Sequence, residues 1–289
     1  MKNDCAIVIP VYKTELKISE VASFKQCLTV LNKHDIYLVT YRGLDLSWYT
    51  KTSQECKKKI NVVYFDYSFF STGLGYNYLC LNKNFYQSFT QYEYMLIYHL
   101  DAWVFRDELQ FWCEKGYDWI GAPFQKNISS CSVTDNKETG GNGGFCLRKV
   151  SYCIKLLDRP KWLPYLRPGY LWKTIYLMHS QQKRNTVYSF LLTLGKTLLK
   201  SCGYRNNLGY FLRTGKINED YYFSEYALHS WGKNAKFPTF IEAACFAFEK
   251  NPTFLYTLIH QLPFGCHGFE KWEFDSFWTK YIKVLDNEI

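Results

Sequence analysis

EYMLIYHLDAWVF, residues 93–105, is the stretch on which the fold turns. Its centre, Tyr94 to His99, is a mostly apolar run rich in β-formers and too short for an independent helix, which predicts a buried parallel strand with a carboxylate, Asp101, just beyond it. Open α/β sheets bind ligands in the crevice outside the carboxyl ends of their strands, so an acid emerging there is placed to hold a metal or a ribose hydroxyl. The same Asp could instead cap the next helix, which RDELQFWCEKG (106–116) supplies; on this stretch alone both readings stand.

Towards the N-terminus the pattern repeats. CAIVIPVYK (5–13) reads as a first buried strand closed by a Pro-containing turn, and Val21, Phe24, Leu28 and Leu31 recur at helical spacing. IYLVTYRG (36–43) and NVVYFDY (61–67) are two further short strands with a helix predicted near 45–58, and STGLG (71–75) starts a helix expected to run to Tyr92. Strand and helix alternating at this spacing imply a parallel sheet with right-handed crossovers, so residues 1–105 read as a nucleotide-binding half.

Towards the C-terminus, YDWIGAPF (117–124) is a strand ending at a proline, and a polar stretch leads to GGNGGFCLRK (140–149). Four glycines in five positions argue for an irregular loop that lets backbone approach a bulky ligand, with FCLRK resuming as a strand. No helix follows it, so it is not a dinucleotide fingerprint. Residues 159–216 carry Arg159, Lys161, Arg167, Lys173, Lys183, Arg184, Lys196, Lys200, Arg205, Arg213 and Lys216 without one Asp or Glu. Those eleven charges exceed the net charge of +9, so the basicity is local and the remainder sits near −2. VYSFLLTLGKTLLKSCGYRN (187–206) adds an apolar stripe with lysines four apart, a composition suited to an anionic membrane, an acidic acceptor or a nucleic-acid groove, or to a helical insertion that simply packs on the core. Acidic residues return with Glu219 and Asp220, ahead of an aromatic run, and PFGCHGFEKW (263–272) is a turn-rich loop that sets His267 near two glycines, an open position that favours a ligand or proton carrier, whereas His260 reads as structural.

Composition narrows the classes. The 289 residues are 47% hydrophobic and 19% aromatic, enough for one large domain with a full core and against disorder. The eleven cysteines form no CxxC pair, which indicates neither a disulfide framework nor a zinc cluster and fits a reducing cytosol. MKNDCAIVIPVYK enters a strand directly, and no apolar run reaches the ~18 residues of a membrane span, so the expectation is a cytoplasmic protein, peripheral at most at the inner membrane face.

In order, these features resemble the GT-A-type nucleotide-sugar glycosyltransferases, and the series WIGAPF, GNGGFCLRK, ED and a GxH loop resembles one bacterial family of uncharacterised transferases. The likeness spans about residues 5–272 outside the basic segment, and it rests on Asp101 in LDAW, on Gly140 to Gly144, on Glu219 and Asp220 in NED, and on His267 in GCHG. It implies an α/β, Rossmann-like, mostly parallel sheet flanked by helices in a single catalytic domain over 1–289. Within it 1–105 would bind the nucleotide, 106–158 and 217–289 would form the acceptor and catalytic half, and 159–216 would be a basic helical insertion. It implies sugar transfer from a nucleotide-sugar donor, UDP-linked by preference, to a glycan or lipid-linked acceptor in bacterial surface-polysaccharide assembly, with no nucleic acid as partner. Asp220 would be the base of an inverting displacement beside Glu219. Asp101, Pro10, Tyr12 and Trp103 would meet the donor; Gly141, Asn142, Gly143, Gly144 and Phe145 would meet the sugars; Asp101 and His267 would hold Mn²⁺ or Mg²⁺. Trp272 is a further stacking candidate. One departure stands out: Trp103 occupies the place of the second acid of a DxD motif, leaving a metal short of one carboxylate. The competing readings are a catalytically inactive nucleotide- or glycan-binding relative and a nucleic-acid-binding protein acting through 159–216.

Overall fold

The structure, a computed structural model, describes residues 3–124, 138–164, 187–226 and 235–284. It is a mixed α/β fold around a six-stranded sheet ordered β3-β2-β1-β4-β7-β6. The strands are β1 (Asn3–Pro10), β2 (Asp35–Tyr41), β3 (Ile60–Phe65), β4 (Tyr92–Tyr98), β6 (Trp119–Pro123) and β7 (Gly141–Lys149). β1 to β4 pair in parallel, and β7 lies antiparallel between β4 and β6. The run at 94–98 is apolar because both faces of β4 are covered: Tyr94, Leu96 and Tyr98 join one core cluster, Met95 and Ile97 the other. The first cluster packs the sheet against α1 (Ile18–Val30), α2 (Ser47–Glu55) and α5 (Leu109–Glu114). The second packs it against α3 (Gly73–Cys80), α4 (Lys83–Gln87) and α6 (Val150–Leu157).

Two expectations need correction here. The helix expected from Ser71 to Tyr92 is broken in two, because Asn82 accepts from the Asn84 amide and restarts the chain as α4. More consequentially, Gly141 to Gly144 are strand, not loop. On the β6 side the ladder passes from Gly121 opposite Cys146 to Pro123 opposite Gly141, so two steps of β6 face five of β7. The glycines serve crowding rather than freedom: a Cβ on Gly141 would run into the Gly121 backbone, and one on Gly121 into the Asn142 carbonyl.

A second sheet, β5-β9-β8, is built from β5 (Ala102–Val104), β9 (Gly265–His267) and β8 (Ala247–Phe248). His267 therefore sits at a strand end and not in an open loop. Ala102 opposes His267, and the Gly268 amide donates to the Asp101 carbonyl at 2.8 Å, so the register of this small sheet delivers the histidine to the acid. Within the basic segment two helices are described, α7 (Val187–Ser201) and α8 (Leu208–Thr214), while 159–164 and 202–207 are turns and isolated bridges; Arg167, Lys173, Lys183 and Arg184 lie outside the described residues. After it come α9 (Glu219–Tyr221), a π-helical turn over Tyr222–Tyr226, α10 (Phe240–Phe246) and α11 (Pro252–Ile259). No described helix is long and apolar enough to cross a membrane.

Candidate active site

Just past the carboxyl end of β4, the side chains of His99, Asp101 and His267 offer ligand atoms that all lie within 4.8 Å of one another. His267 Nε2 is 3.2 Å from Asp101 Oδ1, and its Nδ1 is 3.4 Å from Glu249 Oε1. The Lys271 ammonium donates to Asp101 Oδ2 at 2.7 Å. His99 shares a 2.9 Å hydrogen bond through Nε2 with the Tyr76 hydroxyl.

The charges of this group depend on one another. Burial and the neighbouring His267 charge push the His99 pKa down to about 3, so His99 is a neutral imidazole. For His267 burial opposes the charge, but hydrogen bonding to Asp101 and Glu249 outweighs it and raises the pKa to about 9. Burial likewise opposes ionisation of Asp101, and the hydrogen bond and charge of His267, with the Lys271 hydrogen bond, win, holding the carboxyl well below its usual range.

Two imidazoles and one carboxylate form a donor set suited to a divalent transition metal, with Mn²⁺ a better match than Mg²⁺, which prefers oxygen alone. His267 Nδ1 faces the Glu249 carboxylate at 3.4 Å, a partner placed to orient the ring while Nε2, beside Asp101, points into the group. The residues present thus fit a metal, and they move the reading frame of the motif. Trp103 is buried in a core cluster against Phe269 and has no ligand atom to offer, whereas His99, two residues before Asp101, offers one. The H-x-D spacing in YHLDAW was the sequence signal for it.

Across β7 lies the acidic pair. Asn77 on α3 fixes the entry to α9: its Nδ2 donates to the Ile217 carbonyl, and its Oδ1 accepts from the Glu219 amide. Glu219 is buried and accepts from Arg148 Nη2 at 3.0 Å. Arg148 is wholly buried, lies 4.4 Å above the Trp119 ring, and donates also to the Gly143 carbonyl and the Tyr86 hydroxyl. Past Asp220 the chain tightens into the π-turn, anchored by buried Tyr222 and by Phe223, which stacks on Trp119. Asp220 itself is partly exposed. Burial, then the adjacent Glu219 charge, raise its pKa to about 7 against the opposing pull of the Tyr221 amide and Arg148.

The glycines of β7 are what let these groups meet. A Cβ on Gly143 would collide with the Glu219 carboxylate and approach Asp220, and one on Gly144 would enter the His267 ring. Gly144→Ala should therefore displace the imidazole. We expect it to abolish thermal stabilisation by Mn²⁺ while a fold check by circular dichroism stays unchanged; stabilisation retained at the wild-type level would refute the crowding argument.

The remaining residues named from the sequence divide. Asn142 accepts from the Gly144 amide and donates to Glu249, which links β7 to the His267 side. Tyr12 is exposed, close enough to Lys271 to favour its charge, and Pro10 ends β1. Trp272 is exposed with Lys250 over its ring. Phe145 is corrected: its ring is fully buried among Tyr98, Phe246 and Phe264, so it is core and not a sugar platform. Sequence reasoning missed Arg148, Asn77, Glu249 and Lys271, which carry no local pattern.

A profile of the family described as "Protein of unknown function (DUF5672)" matches residues 59–267. Among solved structures, core-mannan synthase A of Aspergillus fumigatus in its Mn/GDP form is similar at 10% identity and a TM-score of 0.38, over 54% of this chain and 63% of that one. The apo glycosyltransferase GlyE of Streptococcus pneumoniae is similar at 12% identity and 0.43, over 99% and 61%. TarS 1–349 of S. aureus in complex with UDP gives 15% and 0.34, over 58% and 51%. The chain thus spans less than two thirds of each of these three. No curated protein sequence matches it.

Proposed function

The chain belongs to the DUF5672 family, and from the site it carries we propose that it is a glycosyltransferase, moving a sugar from a nucleotide-sugar donor to a hydroxyl of a glycan or lipid-linked acceptor. The observation that supports this reading best is a juxtaposition: a cation-binding group and a carboxylate of near-neutral pKa meet at Gly143 and Gly144, two consecutive residues with no side chain between them.

Glycosyl transfer makes two demands, and the site offers a group for each. Negative charge building on the departing diphosphate must be neutralised, and a proton must leave the attacking hydroxyl. Lys271 brings positive charge to the first task, as does His267 when it is protonated and not ligating a metal. His99, Asp101 and neutral His267 would hold a divalent cation, which would supply Lewis-acid stabilisation of the leaving group. Asp220 serves the second: with a pKa of about 7 it is half ionised at neutral pH and strong enough a base to accept the hydroxyl proton. Glu219, pinned by Arg148 and Asn77, holds the turn that aims Asp220. A base acting on the side away from the leaving group gives a single displacement with inversion.

Thermal unfolding with UDP, GDP, CDP or CMP, each with Mn²⁺, Mg²⁺ or EDTA, tests the reading. A specific nucleotide at a hundredfold excess over its dissociation constant stabilises by about 2.7 kcal/mol, a rise of several degrees. We expect that rise with one nucleotide, UDP first, its loss in EDTA, and its absence in Asp101→Asn. No rise with any nucleotide would sink the proposal.

A further inference from the structure

From the outward face of α7 we infer a docking surface for an anionic lipid bilayer. The helix places Leu191, Leu192, Leu198 and Leu199 along one stripe at positions i, i+1, i+7 and i+8, and each is between 44% and 58% exposed. Gly195 lies within the stripe, and open space surrounds the position of its missing Cβ. Thr197, about 200° further round the helix from Gly195 at 100° per residue, is 4% exposed. The helix therefore packs through its Thr197 side and turns its leucines away from the protein.

What the stripe meets is decided by its flanks. Lys196 and Lys200 are exposed beside the leucines, Arg205 follows the helix, and no Asp or Glu occurs from Arg159 to Asn218. Trp162 and Tyr204, 69% and 54% exposed, stand near its C-terminal end, where the Trp162 carbonyl packs against Gly203. Leucines below, lysines to the side and aromatic rings of mixed character at one end match the depth profile of a membrane interface with negative headgroups. A protein partner would be expected to present carboxylates to those lysines over a shaped surface; a smooth convex leucine stripe has no such shape requirement. A nucleic acid would use the basic residues and leave the leucines in water. This inference is independent of the sugar-transfer reading, since α7 contributes none of the residues of the Asp101 and Asp220 site.

Flotation of the full chain with vesicles tests it. With pure phosphatidylcholine little protein should float; with about 30% phosphatidylglycerol at low salt, at least tenfold more. The Lys196→Gln, Lys200→Gln pair should lower partitioning roughly 20–30-fold, and Leu198→Glu, Leu199→Glu should remove the part of the binding that survives high salt. All these side chains are exposed, so melting temperature and nucleotide-induced stabilisation should match wild type, which separates failure here from failure of the proposed activity. Absence of flotation on anionic vesicles, or flotation of either variant at the wild-type level, would overturn the inference. So would a concentration-dependent dimer in sedimentation that Leu198→Glu disperses, because the stripe would then belong to a second copy of the chain.

Discussion

Asp220→Asn is expected to cut sugar transfer by about 10²–10⁴-fold, the usual contribution of a general base, while nucleotide-induced stabilisation persists. Asparagine keeps the volume and still accepts from the Tyr221 amide, as Asp220 does now, so the α9 turn should hold. The wild-type rate should climb with pH through about 7, where Asp220 loses its proton. The same substitution should also stabilise the fold, increasingly so as pH rises above 3.8. A carboxyl whose folded pKa is raised holds its proton more tightly folded than unfolded, so stability falls as pH rises from the unfolded value of 3.8 to about 7, and the cost is complete above that. At ~1.4 kcal/mol per pK unit that cost is at most roughly 4 kcal/mol, and the neutral amide does not incur it. Melting scans of both proteins at pH 5 and pH 8 should therefore show a gain for the variant that more than doubles between the first and the second, where it reaches several degrees. A dead variant with no alkaline gain would mean that Asp220 is not held in a charge-disfavouring environment. An active one would remove it as the base.

The sheet was legible where one strand's side chains alone determine its character. β1, β2, β4 and β6 show as short apolar runs because both faces are covered, and a doubly buried strand needs no partner information to be recognised, whereas β3 is a half-buried edge strand legible from its β-branched residues. β7 was legible only from Phe145 onwards. Its first four residues look like a loop because glycine signals freedom in isolation, whereas here each missing Cβ answers a group brought from elsewhere: Gly121, Glu219, Asp220, His267. The small sheet went unread for a different reason, since strands of two or three residues have no measurable period. The site was half legible. Asp101, the Glu219–Asp220 pair and His267 stand out as polar groups at ends of apolar segments. Reading DAW as the motif missed His99, because a buried strand ending in Tyr-His gives no hint of which side chain turns to the ligand until the β5–β9 register is known. Arg148 was hidden altogether, since its partner Glu219 is 71 residues away.

That arginine carries the largest stability prediction. Arg148→Met should cost about 3–5 kcal/mol, the usual result of removing one partner from a buried ion pair. The guanidinium is wholly buried, and its donors go to Glu219, the Gly143 carbonyl, Tyr86 and Cys146. Methionine can fill the space above Trp119 but leaves the Glu219 carboxylate without its counter-charge. Lysine restores a charge without the planar fork and should recover only part of the loss. Removing both charges, as Arg148→Met with Glu219→Gln, should return much of the stability, because the penalty lies in the orphaned carboxylate more than in lost packing. The cycle can be read from urea midpoints at constant slope. Recovery in the double variant would assign the arginine an electrostatic role; a double variant as unstable as the single would place its contribution in packing on Trp119 and Tyr86. The pH profile gives a second readout. Arg148 lowers the pKa of Asp220 while Glu219 raises it, so a folded Arg148→Lys variant, which keeps the charge, should hold the acid limb near its wild-type position. In Arg148→Met the limb should move to higher pH, and in the double variant, with both influences gone, it should fall back. Only a residue that positions and polarises Asp220 would move stability and the titration together in this pattern.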